Sequence, residues 1–217
     1  MKVMIHATPS RMWYVDGYLA PSLRAQGIEP RIFVDEHYKG NLRACLESFS
    51  LCDGTGDEGT WHLQDDVIIC RNFAERAAAE DYGVANAFCS RYSDDKLDHT
   101  GTVYPPDLWT GFPCVRIPDE MARDYVRWVK SDELKPPQAE MLIHCNRGDD
   151  FIFHKYFEIK HGHETARNIA PNLVDHVDWL IGGSLVSEWR EHIVRAEFWE
   201  EPELVSELAR KLNKTMI

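Results

Sequence analysis

The stretch TWHLQDDVII, residues 60 to 69, reads as one apolar β-strand with two adjacent carboxylates set into it. Side chains alternate along a strand, so Asp65 and Asp66 are expected to point to opposite faces. An unpaired buried charge is expensive. Either the pair meets water at a strand end, or it holds something positively charged.

The neighbours of this stretch place it in an α/β fold. GNLRACLESFSLC, residues 40 to 52, precedes it and carries Leu42, Cys45, Leu46 and Phe49 on one helical face. FAERAAAEDY follows, with Asn72 at the N-cap position and Gly83 as a stop. Upstream, KVMIHA reads as the first strand and PRIFVD as the second. Between them residues 12 to 28 read as a helix that Pro21 kinks or restarts and Gly27 ends. Downstream, VANAFCSRY and FPCVRI read as strands, joined by a long polar loop that contains the solvated pair Asp94 and Asp95. PDEMARDYVRWVK, DDFIFHKYFEIKHG and EPELVSELARKLNK read as helices, and WREHIVRAEFW as a segment packed on the core. Strands alternating with helices over the first ninety residues predict an α/β domain with a mostly parallel central sheet flanked by helices.

The 217 residues suffice for one such domain, and 28% charged residues argue against wholesale disorder. A formal charge of −12 opposes non-specific nucleic-acid binding. A local groove of Arg116, Arg123, Arg127, Lys130 and Arg147 would be needed to offset it. No apolar run reaches membrane-spanning length, and the N-terminus does not read as a secretion signal. The six cysteines form no CxxC pair and read as reduced, mostly buried thiols of a cytoplasmic protein.

GTGDEG, residues 54 to 59, matches the dinucleotide fingerprint in letters only. A helix precedes it and a strand follows, the reverse of what that fingerprint needs, so it reads as a turn. Asp149 and Asp150 open a helix, where N-capping competes with a role as general base. His176, in PNLVDHVD, reads either as a structural histidine or as a metal ligand.

Taken in order, these segments resemble the nucleotide-sugar glycosyltransferases of the GT-A fold, in their bacteriophage-type branch. KVMIHATPSR looks like the family's first strand, with Arg11 facing the nucleotide. WHLQDDV is similar to its acidic DxD-type motif, written here as Gln-Asp-Asp. RGDDF is similar to the acidic segment before its acceptor-side helix, and PNLVDH to its C-terminal histidine motif. The resemblance implies a single domain over residues 1 to 217, with a nucleotide-sugar half (1 to 90) and an acceptor half (91 to 217). It implies Mn²⁺ or Mg²⁺ bound by Asp66 and His176, with Asp65 near the donor sugar or ribose. It implies a UDP-sugar donor, with Asp150 or Asp149 as base toward a hydroxyl acceptor. The acceptor it points to is a hydroxymethylated base in phage DNA, in the host cytoplasm. A cell-surface glycan is the alternative acceptor. A metal-dependent phosphoester hydrolase and an inactive sugar-nucleotide-binding module are the alternative functions.

Overall fold

The computed structural model describes residues 1–38, 40–55, 58–80, 83–88, 113–131, 148–161, 166–169, 171–183 and 199–213. The pair Asp94 and Asp95, Arg147 and nearly all of WREHIVRAEFW lie outside them.

Six strands build the central sheet: β1 (Lys2–Ala7), β2 (Arg31–Val34), β3 (Gly59–Gln64), β5 (Val84–Asn86), β6 (Cys114–Pro118) and β7 (Ala166–Asn168). Their order is β2-β1-β3-β6-β5-β7, and only β6 runs against the others. This is the mostly parallel α/β sheet expected from the alternation of elements. Strand β6, from the second half of the chain, sits between β3 and β5 of the first half. Both halves therefore share one sheet.

Helices cover both faces. Val3, Ile5, Trp61 and Leu63 point to one face and pack with Tyr14, Leu19, Leu23 and Phe73. Val115 and Ile117 point to the other, where Phe49, Tyr125, Trp128, Phe153 and Phe157 fill the core. The helices supplying that second layer are α3 (Asn41–Ser50), α5 (Asp119–Lys130) and α6 (Gly148–Lys160). Four described cysteines, Cys45, Cys52, Cys70 and Cys114, are buried free thiols, as expected; Cys89 and Cys145 lie outside the described residues.

The helical run after β1 comprises a turn, α1 (Met12–Tyr14), a π-helical segment (Val15–Leu19) and α2 (Ala20–Ala25). Pro21 has no N–H to give to the preceding turn, and the wider π segment lies immediately before it. Gly27 closes the run at φ +78°. The Gly27 N–H bonds Arg24 O and the Ile28 N–H bonds Leu23 O, a Schellman stop that needs the left-handed residue.

Four sequence expectations are corrected. Residues 60 to 69 are not one strand. The chain turns at Asp65 and Asp66, and β4 (Val67–Ile69) leaves the central sheet to pair antiparallel with β8 (Val174–His176). Strand β5 ends at Asn86, well short of residue 92. Asn72 stands at the N-cap position of α4 (Phe73–Ala78) but its side chain makes no capping bond. Gln26 does that work from the preceding helical run, accepting from Ala74 N–H at 2.9 Å and donating to Cys70 O. The proposed basic groove is not open either. Arg116 donates to Gly83 O, Arg123 to the carbonyls of Cys52 and Gly54, and Arg127 pairs with Asp124.

The glycine-rich stretch is a turn between α3 and β3, as read. Buried Asp119 fastens it, accepting from Gly54 N–H at 2.8 Å and Thr60 Oγ1 at 2.7 Å. Among the described residues no helix is long and apolar enough to cross a membrane.

Candidate metal centre

The topology selects one edge of the sheet. From β1 the chain runs to β2 on one side, and β3 then returns on the other. The first connection packs on one face and α3 on the opposite face. Such a divergence opens a crevice at the carboxyl ends of the two strands, where open α/β sheets bind ligands. Strand β1 ends there at Ala7, followed by Thr8; β3 ends at Gln64, followed by Asp65.

The two carboxylates do not point apart. Because they occupy a turn and not a strand, both reach the same guanidinium. Arg11 Nη1 donates to Asp65 Oδ1 at 2.8 Å and to Asp66 Oδ2 at 2.9 Å. Arg11 is only 4% exposed, and its Nη2 donates to Gly183 O. The other oxygen of Asp65 accepts from Thr8 N–H at 2.7 Å and Thr8 Oγ1 at 2.9 Å. Burial and the charge of Asp66 push the Asp65 carboxyl upward, with Arg11 pulling against them. Burial opposes the charge on Arg11, but Asp66 and Asp65 outweigh it and the guanidinium is held more firmly protonated than usual.

Pairing of β4 with β8 brings the third group in, since Val67 is opposite His176. His176 Nδ1 lies 3.6 Å from Asp66 Oδ1. That is too far for a hydrogen bond. The nitrogen is buried and takes no hydrogen bond among the described residues. The Phe88 ring stands edge-on to the imidazole, with centroids 5.0 Å apart, and walls it off. Asp178 opens the short helix α7 (Asp178–Ile181) and bonds Trp179 N–H through Oδ1 at 2.9 Å. Asp66, His176 and Asp178 offer one ligand atom each, all within 4.8 Å of one another, and all three residues are buried.

These residues fit a divalent cation. Metal–ligand bonds of about 2.1 Å place ligand atoms roughly 3 to 4.2 Å apart around one ion. The formal charge of Asp65, Asp66 and Asp178 against Arg11 is −3 + 1 = −2. A buried charge of that size calls for a counter-charge. Two carboxylates with one imidazole form a mixed oxygen and nitrogen set, which suits Mn²⁺ and accepts Mg²⁺.

Asp178 and Thr8 were not singled out in the sequence. The signal for Asp178 was its position two residues after His176; Thr8 carried none. Asp149 and Asp150 fall in the first turn of α6, and their side chains lie outside the described residues.

A second polar chain lies beneath the same edge. His6 Nε2 is 2.9 Å from His62 Nδ1 and 3.0 Å from Ser48 Oγ, in a cleft also lined by Phe49 and Gln64. Burial lowers His6 to about 4 and His62 well below its usual value, so both rings are neutral in the fold. The unfolded chain takes up these protons below about pH 6.5. Stability is therefore full above that pH and falls as the pH drops toward the folded value. His6, partly open to solvent, contributes a loss of up to about 2 kcal/mol by pH 5, or roughly 4 to 8 °C. Thermal melts at pH 7.5 and pH 5 will register this drop, and a His62→Gln variant will flatten it. Equal melting temperatures at the two pH values would contradict the assignment.

No family model matches the chain, and no curated protein matches it. Among solved structures, it is similar to a putative glucose-1-phosphate thymidylyltransferase from Bacillus anthracis in complex with a sucrose. That similarity is 11% identity over 99% of this chain and 100% of the other, with a TM-score of 0.44. It is similar to the galactosyltransferase LgtC in complex with donor and acceptor sugar analogs at 11% identity, covering 100% and 98%, with a TM-score of 0.38. It is similar to the apo-form glycosyltransferase GlyE of Streptococcus pneumoniae TIGR4 at 9% identity, covering 97% of this chain and 64% of the other, with a TM-score of 0.33.

Proposed function

We propose that this chain is a metal-dependent glycosyltransferase that moves a sugar from a nucleotide diphosphate sugar, a UDP-sugar, to a hydroxyl acceptor. One observation carries the reading: Asp66, His176 and Asp178 converge on a buried point at the switch-point crevice, in a cluster two negative charges short of neutrality. The motif resemblance to GT-A enzymes supplies the substrate class.

Asp66, His176 and Asp178 would hold Mn²⁺ or Mg²⁺, which supplies positive charge against the diphosphate as the glycosidic bond breaks. His176 presents a nitrogen with no competing hydrogen bond among the described residues, and Phe88 keeps its ring in place. Thr8 fixes Asp65 at the end of β1. Asp150, or Asp149, is proposed to take the proton of the acceptor hydroxyl. In this reading residues 1 to 90 bind the donor and residues 91 to 217 face the acceptor, with the cation held by ligands from both. A modified DNA base as acceptor now rests on the phage-type resemblance alone, because Arg116, Arg123 and Arg127 are engaged within the fold.

Incubation with a panel of UDP-sugars and Mn²⁺ will release UDP slowly even without acceptor, and EDTA will stop it. Turnover of a simple phosphoester such as p-nitrophenyl phosphate, with no UDP release from any sugar nucleotide, would replace this reading with a hydrolase. Chelator-sensitive binding of UDP without release would replace it with a binding module.

A further inference from the structure

We propose that Arg11 and Asp65 are positioning residues for the cation site and that neither contacts the nucleotide sugar. This rests on the cation site proposed above. It departs from the resemblance, in which Arg11 faces the nucleotide and Asp65 the donor sugar or ribose.

Both oxygens of Asp65 are engaged, one by Arg11 and one by Thr8 twice. Arg11 is buried, and a donor phosphate could reach its Nη atoms only by displacing Asp65, Asp66 or Gly183. What Arg11 does reach is both sides of the cation site. Its bond to Asp66 Oδ2 leaves Asp66 Oδ1 turned toward His176 Nδ1. Its bond to Gly183 O holds the turn after α7, and Gly183 N–H in turn bonds Asp178 O at 2.7 Å. That turn runs through Gly182 at φ +124° and Gly183 at φ +87°, conformations that side chains other than glycine resist. One planar guanidinium thus sets Asp66 directly and Asp178 through the glycine turn. Asp65, anchored to the end of β1, sets the guanidinium. Partners that orient a metal's ligands without touching the metal typically change its affinity by about 10- to 100-fold.

The test is Mn²⁺ titration of metal-free, nucleotide-free protein, followed by the paramagnetic resonance of the free ion. Arg11→Met and Asp65→Asn will weaken Mn²⁺ binding by about 10- to 100-fold, and Arg11→Lys will recover part of it. Gly183→Ala keeps every charge and meets nothing within 4 Å, so it strains only the turn. It will weaken Mn²⁺ binding in the same direction, which keeps the test decisive should Arg11→Met fail to fold. At saturating Mn²⁺ the KM for the sugar nucleotide will stay within about twofold of wild type in Arg11→Lys and Asp65→Asn. Unchanged Mn²⁺ affinity with a tenfold rise in that KM would overturn the proposal and return Arg11 to the donor. Failure of the wild-type protein to take up Mn²⁺ would overturn the cation site itself, a separate outcome.

Discussion

An Asp66→Asn protein will fold, melt within about 4 °C of wild type, and lose Mn²⁺-dependent UDP release by on the order of 10³-fold. The small stability change follows from the contacts. An Asn amide oxygen can still accept from Arg11, and Arg11 keeps its bond to Asp65. The large functional change follows from charge. Asp66 supplies the oxygen nearest to His176 Nδ1, and an amide replaces an anionic donor by a neutral one. Circular-dichroism melts and a UDP-release assay on the same preparation separate the two effects. A melting temperature lowered by 10 °C or more, with residual activity following the folded fraction, would mark Asp66 as a structural acid.

Asp178→Asn carries the second large effect. It will lower Mn²⁺ affinity by about 100-fold and leave the melting temperature within about 4 °C of wild type. Asn preserves the bond from Trp179 N–H, so the start of the short helix is kept. Only the charge toward the cluster is lost. Calorimetry with MnCl₂ and with MgCl₂ reads the loss, and excess Mn²⁺ will restore most of the activity. Wild-type affinity in the variant would reduce the donor set to Asp66 and His176.

Much of the scaffold could be read from the sequence, because local physics dictates it. Pro21 and Gly27 marked the restart and the stop of the first helical run, and both act where expected. Asp57 and Glu58, with a helix before and a strand after, marked GTGDEG as a turn. What escaped depended on partners far along the chain. Nothing in LQDDVII announces a turn: it lacks Gly, Pro and Asn, and the apolar run simply resumes. The break exists because Val67–Ile69 finds Val174–His176 as its partner and leaves the central sheet. The same break reverses the geometry deduced for the two aspartates, since opposite faces hold only within a strand. Arg11 was visible as a charge near the site, but its burial beneath Gly183 was not. Asp178 joins the site through a turn of two glycines and a two-residue spacing, too slight a signal to separate it from any other acid in an acidic chain.

The central claim is that Asp66, His176 and Asp178 hold a cation that a sugar nucleotide shares. Calorimetric titration of UDP into the wild-type protein, with Mn²⁺ and with EDTA, tests it most directly. The account predicts one UDP site per chain, tightened at least about tenfold by Mn²⁺ and no longer tightened in Asp66→Asn. Superimposable titrations with Mn²⁺ and with EDTA would contradict it.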